Sequence, residues 1–246
     1  MTQARIAVIG GTAMNDWPGF EASETRGGET PWGSPSAPLQ LGRFAGTPVV
    51  FLARHGPGHH IPPHRINYRA NLHALAESGV SRIIAVAAVG SMLEAFPPGD
   101  IALPEDVVDY TWGRGHSFSD SADAPLQHID FTAPFDPLRA RLIALAGDEE
   151  GRHDGGVLAV TQGPRLETAA EVRRLVSDGC GMVGMTTMPE AALARELGLE
   201  YAVITVCVNW AAGMGSGDIH GEIAEHAARG MARLRDHLSV VLPHLS

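Results

Sequence analysis

Several short runs place polar side chains directly after stretches apolar enough to be buried strands. In open α/β sheets, sites form where strands end and loops or helices begin, so chemistry is expected there. The run 49–53 is followed by Arg54-His55-Gly56. A guanidinium beside an imidazole suits an oxyanion such as phosphate, because Arg offers paired N–H donors. The run 6–9 is followed by Gly10-Gly11-Thr12, two glycines that admit close backbone approach and one hydroxyl. Read alone, this is an ordinary tight turn. Position 15 is Asn, so the third glycine of a dinucleotide fingerprint is missing. After 83–88 comes Gly90-Ser91, where small residues again allow close approach and the backbone N–H of Ala88 is a further donor. That segment reads equally well as close strand–helix packing.

Two further segments leave a strand and enter a helix. In Thr161-Gln162-Gly163-Pro164-Arg165-Leu166-Glu167-Thr168, Glu167 sits at the junction. It is either a helix-start carboxylate complementing the dipole or a carboxylate aimed into a pocket. In Met185-Thr186-Thr187-Met188-Pro189-Glu190, two hydroxyls precede a helix start, which forms an anion site unless Thr187 simply caps the helix. Asn209-Trp210 ends the most apolar run, and a polar amide there needs partners. His59, His60 and His64 follow His55 closely and raise a metal alternative. Pro62-Pro63 interrupts them and no helical His-x-x-x-His frame with a carboxylate is present, so metal ranks below phosphate.

These residues need a scaffold of alternating strands and helices. Strands are predicted at 5–9, 48–53, 82–88, 157–160, 182–185 and 201–208. Several are continuous apolar runs, as strands covered on both faces should be. Helices are predicted at 66–77, at 168–176 with Thr168 and Glu171 as a capping box, at 189–197 from Pro189 to Gly198, and at 223–242 before Pro243. The pattern implies one α/β domain over residues 1–246 with a largely parallel sheet. Segments 17–38 and 111–137, rich in Gly, Pro, Ser and Asp, are predicted surface excursions.

Composition narrows the partners. The 246 residues are 44% hydrophobic and 19% charged, which excludes a wholly disordered chain. Eighteen Lys and Arg against 28 Asp and Glu give a net charge of −10, which argues against nucleic acid or an anionic membrane as partner. No apolar stretch approaches the roughly 18 residues of a membrane span. The opening apolar run is too short for a signal-peptide core. Two cysteines, Cys180 and Cys207, make no disulfide framework, so a cytoplasmic location is expected.

Taken together, the segments resemble the trimeric purine nucleoside phosphorylase and methylthioadenosine phosphorylase family. The resemblance runs in order through Ile9-Gly10-Gly11-Thr12, Ala53-Arg54-His55-Gly56, Ile66-Asn67-Tyr68-Arg69-Ala70-Asn71, Ala88-Val89-Gly90-Ser91, Pro98-Gly99-Asp100-Ile101, Gly163-Pro164-Arg165-Leu166-Glu167-Thr168 and Met185-Thr186-Thr187-Met188-Pro189-Glu190. Val208-Asn209-Trp210-Ala211-Ala212-Gly213 looks most like the methylthioinosine phosphorylase branch. The resemblance implies a central mixed, largely parallel sheet flanked by helices, assembled as a homotrimer. It implies reversible phosphorolysis of a purine nucleoside to free purine and a sugar 1-phosphate. Phosphate is a co-substrate, and no metal or organic cofactor is needed.

By the same resemblance, phosphate is held by Thr12, Arg54, His55, the segment Ala87-Ala88 and Thr186. Met185 lies against the ribose. Glu167 and Asn209 hold the purine and, with His55, carry catalysis. Ala211, His220 and Ile223 border the substrate, and His128 reaches a neighbouring subunit's site. The adenine-type branch has Asp at the positions of Asn209 and Ala211 and a small hydroxyl residue at that of Glu167. This chain departs at all three, which favours 6-oxopurines, because Glu167 can accept from N1–H and Asn209 can donate toward O6 or N7. That branch also has a hydroxyl residue where this chain has Ala87, which leaves two rivals: a phosphate-independent nucleoside hydrolase, or a phosphorylase specialised for an unusual nucleoside. A binding protein without turnover ranks below both. At the sugar's 5′ end, His220 suits a hydroxyl, whereas Ile219, Ile223 and Met214 suit a thioether. The expected substrate is S-methyl-5′-thioinosine, with inosine or guanosine next.

Overall fold

The computed structural model describes residues 5–12, 14, 17–120, 126–215 and 223–245. Its frame is one mixed sheet of 11 strands: β1 (Arg5–Gly10), β2 (Phe20–Arg26), β3 (Leu39–Phe44), β4 (Thr47–Ala53), β5 (Val80–Ser91), β6 (Ile101–Leu103), β7 (Asp106–Asp109), β8 (Arg152–Asp154), β9 (Val157–Val160), β10 (Met182–Gly184) and β11 (Glu200–Trp210). Five α-helices are described: α1 (Tyr68–Glu77), α2 (Leu138–Ala146), α3 (Ala169–Ser177), α4 (Thr187–Glu196) and α5 (Ile223–Val241). The main path runs β2-β3-β4-β1-β5-β10-β9-β7, with β11 on the other edge of β5 and β6 and β8 beyond it.

Period-two side-chain alternation divides the core between the sheet's two faces. Ala7, Ile9, Ile83 and Ala85 face a layer containing Leu72 and Leu75 of α1 and Leu193 of α4. Ile6, Val8, Ile84 and Val86 face a layer containing Leu138 and Leu142 of α2 and Leu234 and Leu238 of α5. Central strands covered on both sides must be apolar throughout, which is why they were readable as continuous runs.

Two irregularities position the site. The first is a gap beside β5. β1 pairs with β5 only as far as Ala85, and β10 pairs antiparallel with it only at Gly90 and Ser91. β11 occupies the opposite edge along its whole length. Among the described residues, no strand therefore pairs with Val86–Val89 on the first edge, and the Val86 carbonyl accepts from the Arg54 side chain instead. The second is a bulge in β11: Cys207 pairs with Val89 but Asn209 with Gly90, so Val208 is an extra residue. A bulge re-aims the side chains beside it, and Val208 and Asn209 both face the same cavity.

All six expected strands and four expected helices are present, with ends displaced by a few residues. The capping box of α3 forms as read, with Thr168 accepting from the Glu171 N–H and Glu171 from the Thr168 N–H. The regular turns of α4 start at Pro189, since Met188 is extended at φ −111° and ψ 135°. Segment 17–38, expected to be a surface excursion, contains β2 instead. β2 is almost wholly exposed, so it carries no apolar signature and exists by antiparallel pairing with β3. Segment 111–137 has no helix or strand among its described residues.

Candidate active site

A cavity of about 490 Å³ opens where β1, β4, β5, β10 and β11 end, and most of the expected residues line it. Its wall carries Thr12, Arg54, His55, Ala87, Ala88 and Thr186 together with Glu167, Asn209 and Ala211, and also Met185 and Ile223.

Arg54 is fully buried. Its Nε and Nη2 donate to the two carboxylate oxygens of Glu190 at 2.7 and 2.8 Å, and Nη1 donates to the Val86 carbonyl at 2.8 Å. The paired donors thus read Glu190, which corrects the expectation that they face the oxyanion. Of five N–H groups, two remain for a ligand. Burial works against the cation, but Glu190 outweighs it and the Arg54 pKa is raised. The Tyr201 hydroxyl donates to the same carboxylate at 2.8 Å. Gly11 makes the approach possible: a Cβ there would sit 2.6 Å from the Val86 carbonyl oxygen.

His55 Nδ1 lies 2.8 Å from the Ile61 carbonyl, which can only accept, so the ring proton is on Nδ1 and Nε2 carries a lone pair. Burial, against that backbone bond and with the nearby Arg54 charge, lowers the His55 pKa to about 4. His55 is therefore neutral at pH 7. Its ring packs 4.3 Å from that of His59, which adopts a left-handed φ of 56°.

Thr186 occupies the N-cap position of α4 without bonding a helix N–H through its side chain. The cap is thus Thr186 rather than Thr187, and the buried Thr186 hydroxyl is left for the cavity. Thr12 lies exposed at the rim. Ala87 and Ala88 pair with Thr205 and Val206 of β11, while neither β1 nor β10 pairs with them on the other edge of β5.

Glu167 Oε1 accepts from the Thr161 hydroxyl at 2.6 Å. The residue lines this cavity and a neighbouring one that Thr161 also lines, and the second oxygen is left to accept again. Asn209 Nδ2 donates to the Trp210 carbonyl at 2.6 Å, leaving one N–H and the amide oxygen. Gly90 admits that amide, since a Cβ there would lie 3.3 Å from Nδ2. His128 is exposed and is not on this wall. His220 and Ile219 lie outside the described residues.

Four residues escaped the sequence reading. Glu190 closes the segment 185–190 without a role of its own, Thr161 follows the strand predicted at 157–160, Tyr201 opens the one predicted at 201–208, and Arg114, between Gly113 and Gly115, falls within the segment 111–137. Arg114 is in fact 9% exposed. Only a partner 136 residues away gives Glu190 its meaning, and no local spacing encodes that.

The model of the phosphorylase superfamily matches residues 5–242, and the chain belongs to that family. It is 46% identical to "Probable S-methyl-5′-thioinosine phosphorylase" of Xylella fastidiosa, covering 98% of this chain and 99% of that one. It is 42% identical to the 6-oxopurine nucleoside phosphorylase of Pyrococcus furiosus, covering 90% and 85%. Among solved structures it resembles a double mutant of the adenosine/methylthioadenosine phosphorylase of Schistosoma mansoni in complex with adenine, with a TM-score of 0.90, 31% identity, and 99% and 92% coverage. The mixed-sheet fold read from the sequence is thus the fold of a nucleoside phosphorylase.

Proposed function

We propose that this protein catalyses reversible phosphorolysis of a 6-oxopurine nucleoside, with S-methyl-5′-thioinosine first and inosine or guanosine next. The carrying observation is the Thr161-held Glu167 carboxylate on the wall of a cavity that is also lined by Arg54, His55, Thr186 and residues 87–90 of β5. Phosphate oxygen attacks C1′ while the bond from C1′ to the purine nitrogen breaks. Phosphate is held by the Ala88 N–H, Thr186, Thr12 and the remaining N–H groups of Arg54. His55, neutral with a lone pair on Nε2, accepts from a protonated phosphate oxygen. Negative charge grows on the departing purine, and hydrogen bonds that strengthen with it lower the barrier.

Glu167 accepts from N1–H of a 6-oxopurine, and Asn209 donates its spare N–H toward O6 or N7. Adenine offers a lone pair at N1, which would face the carboxylate. A buried polar mismatch of this kind is worth up to about 10⁴-fold in discrimination. The names of the Xylella and Pyrococcus relatives support this base choice. The reading requires no metal or organic cofactor and places the enzyme in purine salvage in the cytoplasm.

A homotrimer belongs to the same reading, with His128 entering a neighbour's site. It is supported by exposed apolar side chains in the His128 segment: Trp112 is 71% exposed and Leu126 77%. The decisive assay follows products from methylthioinosine, inosine and methylthioadenosine, each with and without phosphate. Sugar 1-phosphate formed only with phosphate, fastest from methylthioinosine, is expected. Free sugar formed equally well without phosphate establishes a hydrolase instead, and binding without product establishes a non-catalytic protein.

A further inference from the structure

Arg114 is a buried cation with no carboxylate among its hydrogen-bond partners, although it lies in a segment without regular structure. Its Nη1 donates to the carbonyls of Met185, at 2.9 Å, and Met188, and to the Tyr68 hydroxyl at 3.2 Å. Its Nη2 donates to the carbonyls of Gln162 at 2.9 Å and Thr161 at 3.3 Å, and Nε donates to Gln162 Oε1 at 3.1 Å. The Tyr68 hydroxyl in turn donates to the Pro63 carbonyl at 3.0 Å. These partners belong to three different stretches that each run into cavity-lining residues. Thr161 and Gln162 begin the loop that bears Glu167. Met185 and Met188 flank Thr186. Pro63 belongs to the loop that follows His55.

Burying a guanidinium on neutral oxygens costs more than it returns as plain stability: burial lowers the Arg114 pKa, and the nearby Asp109 charge offsets that only in part. A folded chain that needed only to cap six carbonyl and side-chain oxygens could use water or smaller donors. A rigid fork of five donors does something else: it reaches all three loops at once, where the backbone joins the first two only through the Thr161 N–H bond to the Gly184 carbonyl.

We propose that Arg114 is a positioning residue for the reaction, locking the Glu167 loop, the Met185–Thr186 turn and the loop after His55 into one arrangement. The proposal rests on the phosphorolysis reading for its activity readout only. Misplacing reacting groups by about 1 Å costs on the order of 10²-fold in rate. Arg114→Ala should therefore lower kcat/KM for methylthioinosine by about that factor, with most of the loss in kcat, and millimolar guanidinium should restore at least about a tenth of wild-type activity. Arg114→Lys, keeping the charge without the fork, should fall between the two.

Amide hydrogen exchange supplies the second readout. Residues 161–168 and 185–188 should exchange faster in both variants, while β1 and the first half of β5 keep wild-type protection. Unchanged kcat/KM per folded molecule with only a lower Tm overturns the proposal, as does unchanged exchange in those two segments. If Arg114→Ala does not fold, Arg114→Lys decides by the same criteria. If the wild type turns over no nucleoside, the phosphorolysis reading fails, and the exchange experiment alone decides the role of Arg114.

Discussion

Replacing Glu190 by Ala tests the electrostatic core of the site. The variant leaves Arg54, fully buried, with the Val86 carbonyl as its one remaining partner from the set described above, and leaves the Tyr201 hydroxyl without its acceptor. Removing one member of a buried pair costs about 3–5 kcal/mol, because a charge stays buried and uncompensated. For a chain of this size each kcal/mol lowers Tm by about 2–4 °C, so the expected fall is about 6–20 °C. Removing the whole network is different. Arg54→Met with Glu190→Leu and Tyr201→Phe leaves neither charge nor orphaned hydroxyl, and apolar replacement of a buried pair is often neutral or stabilising. The triple variant should melt within a few degrees of wild type.

Phosphate separates stability from function in the same experiment. A ligand at 100 times its Kd stabilises the folded state by about 2.7 kcal/mol. Wild-type Tm should rise by about 5–11 °C in saturating phosphate. The triple variant, without the Arg54 N–H groups, should not respond and should not turn over. Circular dichroism melts of the three proteins, with and without phosphate, read every arm. A Glu190→Ala protein as stable as wild type refutes the ion-pair argument. A triple variant that keeps the phosphate shift refutes Arg54 as a phosphate ligand.

Three further outcomes are expected. Asn209→Asp replaces the amide donor by an acceptor, so the preference for methylthioinosine over methylthioadenosine should shrink by at least tenfold in kcat/KM; an unchanged ratio means Asn209 does not read the base. His55 should make the fold acid-sensitive: its folded pKa is about 4 against 6.5 unfolded, so between those values the unfolded chain binds more protons and stability falls as pH falls. The upper bound is about 3 kcal/mol, and urea melts of His55→Asn should lose that part of the slope between pH 6.5 and 4, a flat wild-type profile being the contrary result. His128→Ala should raise KM for nucleoside at least severalfold while sedimentation still gives about three times the chain mass; a fully active monomer removes His128 from the site.

The legible and illegible parts of the molecule differ in what local sequence can encode. β1, β4, β5, β9, β10 and β11 were readable because burial on both faces demands unbroken apolar runs. Glu167, Thr186 and Asn209 were readable because each stands where such a run stops. β2 was not, since its side chains face solvent and its one structural reason is the neighbouring strand β3. The Arg54–Glu190 pair and the Arg114 fork were not, because each joins residues 46 or more positions apart, the first through a carboxylate that reads locally as an ordinary acid and the second mostly through main-chain carbonyls that every peptide carries. The bulge at Val208 is a matter of register between β11 and β5, which apolar patterning alone leaves open.

That division bears on how an acidic chain holds a phosphate. Net charge is −10, Glu190 neutralises Arg54 inside the cavity, His55 is neutral, and Ala87 brings no hydroxyl. Long-range attraction is thus absent, and affinity must come from donors fixed at contact distance. The sheet offers them where it is interrupted: β1 departs after Ala85, β10 arrives at Gly90, and between them one edge of β5 has no partner strand among the described residues. Fixed N–H dipoles in a site with little water act on an anion more strongly than they would in solvent and need no reorganisation when charge moves during the reaction. Glu190 then has a positive role: a bare buried Arg54 would bind phosphate in the ground state by charge alone, whereas the pair orients two N–H groups without deepening that well. Ground-state binding that is not strengthened in the transition state lowers KM but not the barrier. The charge balance of this cradle therefore fits a site in which phosphate must be held in place and still leave its position to attack C1′.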